Sequence, residues 1–295
     1  MKVLILGASG ALGHKFYQLL SKELDTWVTF RSDASRYAEL GFYDEKKIVS
    51  PVDAYNFNSV EHAVMTIKPD VVVNVIGIVK QLKEANDPVS TITINALFPH
   101  RLAGLCQQSA IRLIHISTDC VFSGSRGMYQ DADFSDAEDL YGRTKALGEL
   151  PRPSLTLRTS TIGRELAGSS GLLEWFLNQK GKKIKGYTRA VFSGLSTIEL
   201  SRVLADVIKN YPNLSGLYNV SSESINKNDL LCLLRDRYHV NVEIEPCEAP
   251  KVDRSLNSER FKAATNFAPP SWADMIREMA DDRTPYEQWR HCYVA

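Results

Sequence analysis

Short apolar runs rich in Val and Ile recur along the chain, separated by longer stretches in which apolar residues return every three or four positions. A strand buried on both faces needs the first pattern, and a helix with one apolar stripe produces the second. Strands are expected near 2–6, 26–31, 47–50, 71–76, 111–116 and 154–158, with helices near 11–22, 35–40, 58–67, 92–109 and 139–149 between them. Pro151 and Pro153 close the last of these helices. The alternation specifies an α/β fold built on a doubly wound parallel sheet, with its ligand beyond the strand C-termini where the strand order reverses.

After about residue 162 the alternation lapses. A helical stretch at 171–180 leads into the basic segment Lys180-Gly181-Lys182-Lys183-Ile184-Lys185, expected to be a solvated loop. A helix near 197–210 and a strand at 216–220 read as returns to the sheet. Residues 1–162 plus about 196–221 are therefore expected to form one domain. Residues 163–195 plus 222–295 are expected to form a smaller C-terminal substrate-binding lobe.

Composition narrows the partners. The chain has 295 residues, and its 35 Lys and Arg cancel 35 Asp and Glu, so no global field draws it to nucleic acid or to an anionic membrane. Anion recognition is left to local groups. The most apolar run, Val71 to Val79, is about half the roughly 18 residues of a membrane span. The N-terminal apolar stretch is too short for a signal peptide and reads as a buried strand. Cys106, Cys120, Cys232, Cys247 and Cys292 are odd in number and lack metal-ligand spacing, which suits reduced thiols in a cytoplasmic protein and no metal site.

Gly7-Ala8-Ser9-Gly10-Ala11-Leu12-Gly13 follows the first strand and opens the first helix. Such a turn lets backbone N–H groups and the helix dipole meet a pyrophosphate, which makes the sheet Rossmann-type and Gly7, Ser9, Gly10, Ala11, Leu12 and Gly13 cofactor-binding candidates. Arg31 ends the second strand, where a 2′-phosphate calls for Arg, so NADP(H) is favoured over NAD(H), with Asp33 a rival ribose ligand. Tyr141 and Lys145 share one helical face, where the ammonium lowers the phenol pKa and can bind the nicotinamide ribose. A second pair at this spacing, Tyr43 and Lys47, reads as accidental.

The GxxGxxG spacing resembles the extended short-chain dehydrogenase/reductases, which implies an adenine-side acid at Asp53. Ser117-Thr118-Asp119-Cys120-Val121-Phe122-Ser123-Gly124, then Asp139-Leu140-Tyr141-Gly142-Arg143-Thr144-Lys145-Ala146-Leu147-Gly148-Glu149, resembles the signature of the dTDP-4-dehydrorhamnose reductase family of nucleotide-sugar reductases. Echoes continue at Asn95, Leu157-Arg158-Thr159, Phe192 to Thr197 and Asp253 to Asn257.

The resemblance implies Thr118 as catalytic hydroxyl, Tyr141 as proton donor and Lys145 as ribose-binding lysine. It implies NADPH-dependent reduction of a sugar 4-ketone in nucleotide-sugar biosynthesis for surface polysaccharide, by a monomer or homodimer. Asp119 and Cys120 follow Thr118 and become substrate candidates. Lys80, Lys227 and Arg254 are plausible ligands for the substrate diphosphate, with Lys80 and Lys227 better read as solvated charges.

Dehydratases of the extended group place Asp-Glu after the catalytic Thr, and the Asp119-Cys120 pair here lacks that base. Epimerase/reductases similar to GDP-fucose synthase place a Cys where Cys120 stands but also use a later His, and none occurs between His115 and His239. His115 reads as a satisfied core or strand-edge residue. The regulatory subunit of methionine adenosyltransferase resembles the same family and offers a non-catalytic alternative.

Overall fold

A computed structural model describes residues 1–38 and 40–293. Glu39, inside the helix expected at 35–40, and residues 294 and 295, at the end of the expected lobe, lie outside the described residues, as does the side chain of Cys292. The chain divides into two compact units. The first comprises Met1–Ser117, Glu138–Leu157 and Ser201–Leu217, and the second Thr118–Ala137, Arg158–Leu200 and the chain from Tyr218 onward.

Seven strands form the central sheet. In chain order they are β1 (Lys2–Leu6), β2 (Asp25–Thr29), β3 (Ile48–Val49), β4 (Val71–Asn74), β5 (Arg112–Thr118), β6 (Leu155–Thr159) and the strand Gly216–Asn219. Across the sheet the order is Gly216–Asn219, β6, β5, β4, β1, β2, β3. β1 runs parallel to β2 and to β4, β2 to β3, and β4 to β5. The order therefore reverses between β1 and β4, which opens a crevice at their C-terminal ends. Val3 to Leu6 and all four residues of β4 are buried, which is why these strands read as continuous apolar runs without alternation.

The helices of the first unit are α1 (Ala11–Leu20), α2 (Ser35–Ala38), α3 (Phe57–Ile67), α4 (Pro88–Thr91), α5 (Phe98–Gln108) and α6 (Leu140–Leu147). Val60, Ala63, Val64 and Ile67 of α3, three and four apart, are buried in one cluster with Leu4, Val72 and Phe98. Each of the Val, Leu and Ile side chains contributes about 1.5–3 kcal/mol through burial.

The helix expected at 92–109 departs from plan. Residues Ile92–Leu97 widen into a π turn before α5. Asn95 lies inside it, accepting from Ile78 N at 2.9 Å and donating to Ile78 O at 3.0 Å. Its own carbonyl presses on Gly148, where a Cβ would sit 1.9 Å away. The glycine after α6 thus makes room for a widened turn, a relation that no periodicity reveals.

In the second unit, the loop from Thr118 to Ala137 is held by its own aromatic core. Phe122 and Tyr129 stack at 4.0 Å, and the buried Arg158 guanidinium lies 4.7 Å from the Phe122 ring centroid. Arg158 donates to Asn219 Oδ1 at 3.2 Å, and Asn219 donates to Tyr129 O at 2.8 Å. The basic segment enters a strand, Lys183–Tyr187, paired in parallel with Glu243–Cys247. Lys183 meets Glu243 at 3.2 Å and Glu245 at 2.5 Å, so acidic residues of the neighbouring strand balance its charge at an exposed edge. The helix Lys227–Tyr238 is capped by Asn226, which accepts from Asp229 N at 2.9 Å. No helix among the described residues is long and apolar enough to cross a membrane.

Candidate functional site

The glycine turn between β1 and α1 is built from backbone. Gly7 has a φ of +94°, a region open to glycine, and a Cβ on Gly13 would stand 2.2 Å from Gly7 O. The turn is tied at Ala8, whose N–H donates to Thr29 O at 3.3 Å and whose carbonyl accepts from Tyr43 OH at 2.8 Å. Tyr43 is therefore a structural strut, and Lys47 pairs separately with Asp25 at 3.0 Å. Gly10 caps α1 in an extended conformation, no side chain bonds to the cap, and the first turn carries no acid. The open N–H groups and the positive end of the helix dipole suit an anion.

A cavity of about 590 Å³ opens on this turn. Gly7, Ser9 and Gly10 form one side of its lining, Arg31 and Ser32 another, and Asp53 a third. Ala11, Leu12 and Gly13 supply the first turn of α1 beside it. Arg31 is exposed at the end of the β2 segment. Tyr37, also in the lining, stacks on Phe30 at 4.0 Å and stiffens that wall. Asp53 Oδ1 accepts from Tyr55 N at 3.0 Å, so its carboxylate caps a local turn while it lines the cavity. The uncapped turn and a cationic wall fit a dinucleotide.

Tyr141 and Lys145 lie one turn apart on α6, which Asp139 caps by accepting from Gly142 N at 3.0 Å. Lys145 is 6% exposed and donates to Ile116 O at 2.9 Å. Burial lowers its pKa to about 8, against the opposing pull of Glu149. Glu149 in turn accepts from Ser117 Oγ at 2.7 Å.

His115, also buried, is only half satisfied. Its Nδ1 lies 3.1 Å from Asn74 Nδ2, Asn74 Oδ1 accepts from Ile76 N at 3.0 Å, and Nε2 has no partner among the described residues. Burial first, then the Lys145 charge, holds its pKa well below the usual value, so it stays neutral. Lys80, a plausible diphosphate ligand better read as a solvated charge, is exposed and pairs with the capping Asp139 at 3.0 Å.

The second unit carries another set. Thr118 Oγ1 donates to Asp119 Oδ1 at 3.2 Å and accepts from Cys120 N at 3.2 Å. Asp119 is 5% exposed, and burial raises its pKa against the charges of Lys227 and Arg254. Cys120 is pushed up to about 12 by burial and then by Asp119, which leaves the thiol protonated. Arg254 donates through Nε to Phe122 O at 2.8 Å.

Lys227 is half-buried. Its ammonium lies 4.0 Å from the Phe192 ring centroid, and burial lowers its pKa to about 8 despite Asp119 and Cys120. The sequence holds no sign of this, because Lys227 opens a helix in a polar stretch, where exposure is the usual outcome. Cys106, Cys120, Cys232 and Cys247 are free thiols, and no cluster of metal-ligating side chains occurs among the described residues.

The spore coat polysaccharide biosynthesis protein SpsK of Bacillus subtilis is 25% identical over 298 residues, covering 96% of this chain and 98% of that one. Methionine adenosyltransferase 2 subunit beta of Bos taurus is 28% identical over 148 residues, 50% of this chain and 41% of its own length. Among solved structures, a dTDP-4-dehydrorhamnose reductase from Bacillus anthracis in complex with NADP superposes with a TM-score of 0.78 at 20% identity. It covers 94% of this chain and 98% of that one. The family model described as the RmlD substrate binding domain matches residues 1–284, and the chain belongs to that family.

Proposed function

We propose that the protein is an NADPH-dependent reductase of a 4-keto group on a nucleotide-linked deoxysugar, acting in the cytoplasm in nucleotide-sugar biosynthesis for surface polysaccharide. The observation that carries this reading is the buried Lys145 ammonium, bonded to Ile116 O one helical turn from Tyr141, in the unit that also holds the glycine turn. The names of the relatives support the substrate class: one is a dehydrorhamnose reductase bound to NADP, another a polysaccharide biosynthesis protein.

When bound, NADPH would supply the hydride. The N–H groups at Ala11 to Gly13 would hold its pyrophosphate, and Arg31 with Ser32 its 2′-phosphate. Asp53 would meet the adenine side. Lys145 would donate to the nicotinamide ribose and, by its charge, favour loss of the Tyr141 proton. Tyr141 would deliver that proton to the developing alkoxide, and Thr118 would donate a hydrogen bond to the same oxygen. Arg254 is assigned to the substrate diphosphate.

Epimerisation through Cys120 is disfavoured by its protonated thiol, which is a poor base for a carbon-bound proton. A regulatory role like that of the methionine adenosyltransferase subunit draws on a match to half of the chain. The discriminating experiment is NADPH oxidation, followed at 340 nm, with dTDP-4-dehydrorhamnose and a panel of other nucleotide 4-keto-6-deoxysugars. Tyr141→Phe should lose at least ~100-fold in kcat and keep its NADPH affinity. A variant as fast as wild type would refute the assignment of the proton donor.

A further inference from the structure

The carboxylate of Asp139 serves two segments of the first unit at once. Its Oδ1 accepts from Gly142 N at 3.0 Å, in the first turn of the helix that carries Tyr141, and its Oδ2 accepts from Lys80 Nζ at 3.0 Å. Lys80 stands in the connection after β4, between Ile78 and Leu82, and both of these line the cofactor cavity. That connection is braced on either side of Lys80. Asn95 holds the N–H and the carbonyl of Ile78 at 2.9 and 3.0 Å, and Thr91 Oγ1 donates to Glu84 O at 3.1 Å. A cavity wall fixed at both ends is therefore joined by one side chain to the start of α6, where Tyr141 lies in the first turn.

We propose that Lys80 is a positioning residue: through Asp139 it ties the first turn of α6 to the cofactor wall, so that the wall against which NADPH is held also sets Tyr141 for proton delivery. An aspartate at this position caps the helix unaided. What Lys80 adds is orientation. A second charge-assisted bond, on the other oxygen, restrains rotation of the carboxylate and so fixes where the cap and the helix start lie relative to the wall. Both side chains are partly solvated, at 53% and 35% exposure, so the pair adds little to overall stability. Its loss is therefore read in the placement of Tyr141, to which the rate of proton delivery is sensitive, rather than in unfolding. A substrate diphosphate on the same ammonium would compete with the Asp139 carboxylate, which makes that role the rival reading.

This inference rests on the proposed reductase reading through the role of Tyr141. In single-turnover oxidation of enzyme-bound NADPH at saturating dTDP-4-dehydrorhamnose, Lys80→Met should slow the reaction ~2–5-fold, and the dissociation constant of NADPH and the KM of the sugar should stay within about twofold. Asp139→Asn keeps a capping side chain but loses the charge, and should slow the reaction to the same degree. The double variant should be no slower than either single one, because both remove the same interaction. Lys80→Arg should restore the rate. Raising salt from about 0.05 to 0.5 M should bring wild type toward Lys80→Met and leave that variant unchanged, a response that an exposed ion pair gives and a packing contact does not.

Amide hydrogen exchange reads the same link without turnover. Lys80→Met should raise exchange at Gly142 ~2–5-fold relative to the amides of α5, which serve as the internal standard for folding, and Lys80→Arg should not. Unchanged exchange at Gly142 would overturn the proposal whatever the rate does, and so would an unchanged rate beside altered exchange. A rise in both the KM of the keto sugar and the inhibition constant of dTDP, with the single-turnover rate intact, would overturn it in favour of a diphosphate ligand at Lys80. If wild type fails to oxidise NADPH with any keto sugar, the reductase reading falls, and exchange at Gly142 alone then decides whether Lys80 holds the helix start.

Discussion

Gly13→Ala tests the cofactor turn through a single methyl group. The added Cβ would lie 2.2 Å from Gly7 O, 2.7 Å from Ala8 Cα and 2.9 Å from Gly7 C. All three are main-chain atoms, so no side chain can swing aside to relieve the overlap. Restoring ordinary contact requires the Gly7 carbonyl to retreat by roughly 1 Å, and such overpacking costs about 1–3 kcal/mol. The retreat is resisted by the Ala8 bonds to Thr29 and Tyr43, which places the cost at the upper end.

A loss of about 3 kcal/mol lowers the unfolding midpoint by ~6 °C in a chain of this size. Gly10→Ala is the matched control, because its Cβ would meet only Gly7 O, at an ordinary 3.5 Å. It should melt within about 1 °C of wild type yet bind NADPH more weakly, since Gly10 lines the cavity where the pyrophosphate is assigned. The assays are thermal unfolding without ligand and fluorescence titration with NADPH. Equal midpoints for Gly13→Ala and wild type, with equal NADPH affinity, would refute the reasoning.

Two further outcomes follow from named groups. Arg31→Ala should weaken NADPH ~10–100-fold and NADH by less than about threefold, as loss of a charge-assisted bond to a 2′-phosphate demands, and parallel losses for both cofactors would remove Arg31 from that role. Lys145 has a folded pKa of about 8 against 10.5 when exposed, so between those values the unfolded chain holds the extra proton and stability rises with pH. Urea midpoints without cofactor should show wild type gaining about 2–3 kcal/mol on Lys145→Met from pH 8 to 10.5, with the relative change levelling off below about pH 7. A flat difference across that range would mean Lys145 is not desolvated.

The apolar pattern located all six expected strands of the central sheet to within a few residues, because each is short, buried and bounded by a change of period. Gly7 to Gly13 was equally legible, since its spacing leaves backbone N–H groups at a helix start. Other features depend on residues distant in sequence. The π turn at Ile92–Leu97 arises from the bonds of Asn95 to Ile78 and from the space left by Gly148. Membership of the Thr118–Ala137 loop in the second unit follows from Arg158 and Asn219 gripping Phe122 and Tyr129. Lys80 and Lys227, two similar lysines in sequence, diverge because one meets Asp139 at the surface and the other an aromatic face. His115 could be identified as a core residue, but its unpartnered Nε2 could not.

The central claim is hydride transfer from NADPH to a nucleotide-sugar ketone, and its most direct test follows the transferred atom. NADPH carrying deuterium at the nicotinamide C4, in each face-specific form, is incubated with dTDP-4-dehydrorhamnose, and the product sugar is analysed by NMR and mass spectrometry. One of the two forms should deliver a single deuterium to the carbinol carbon that had been the ketone, in step with NADPH consumed, and in deuterated water neighbouring carbons should stay unlabelled. Consumption of NADPH without label in the sugar, or no consumption with any keto sugar of the panel, would contradict the account.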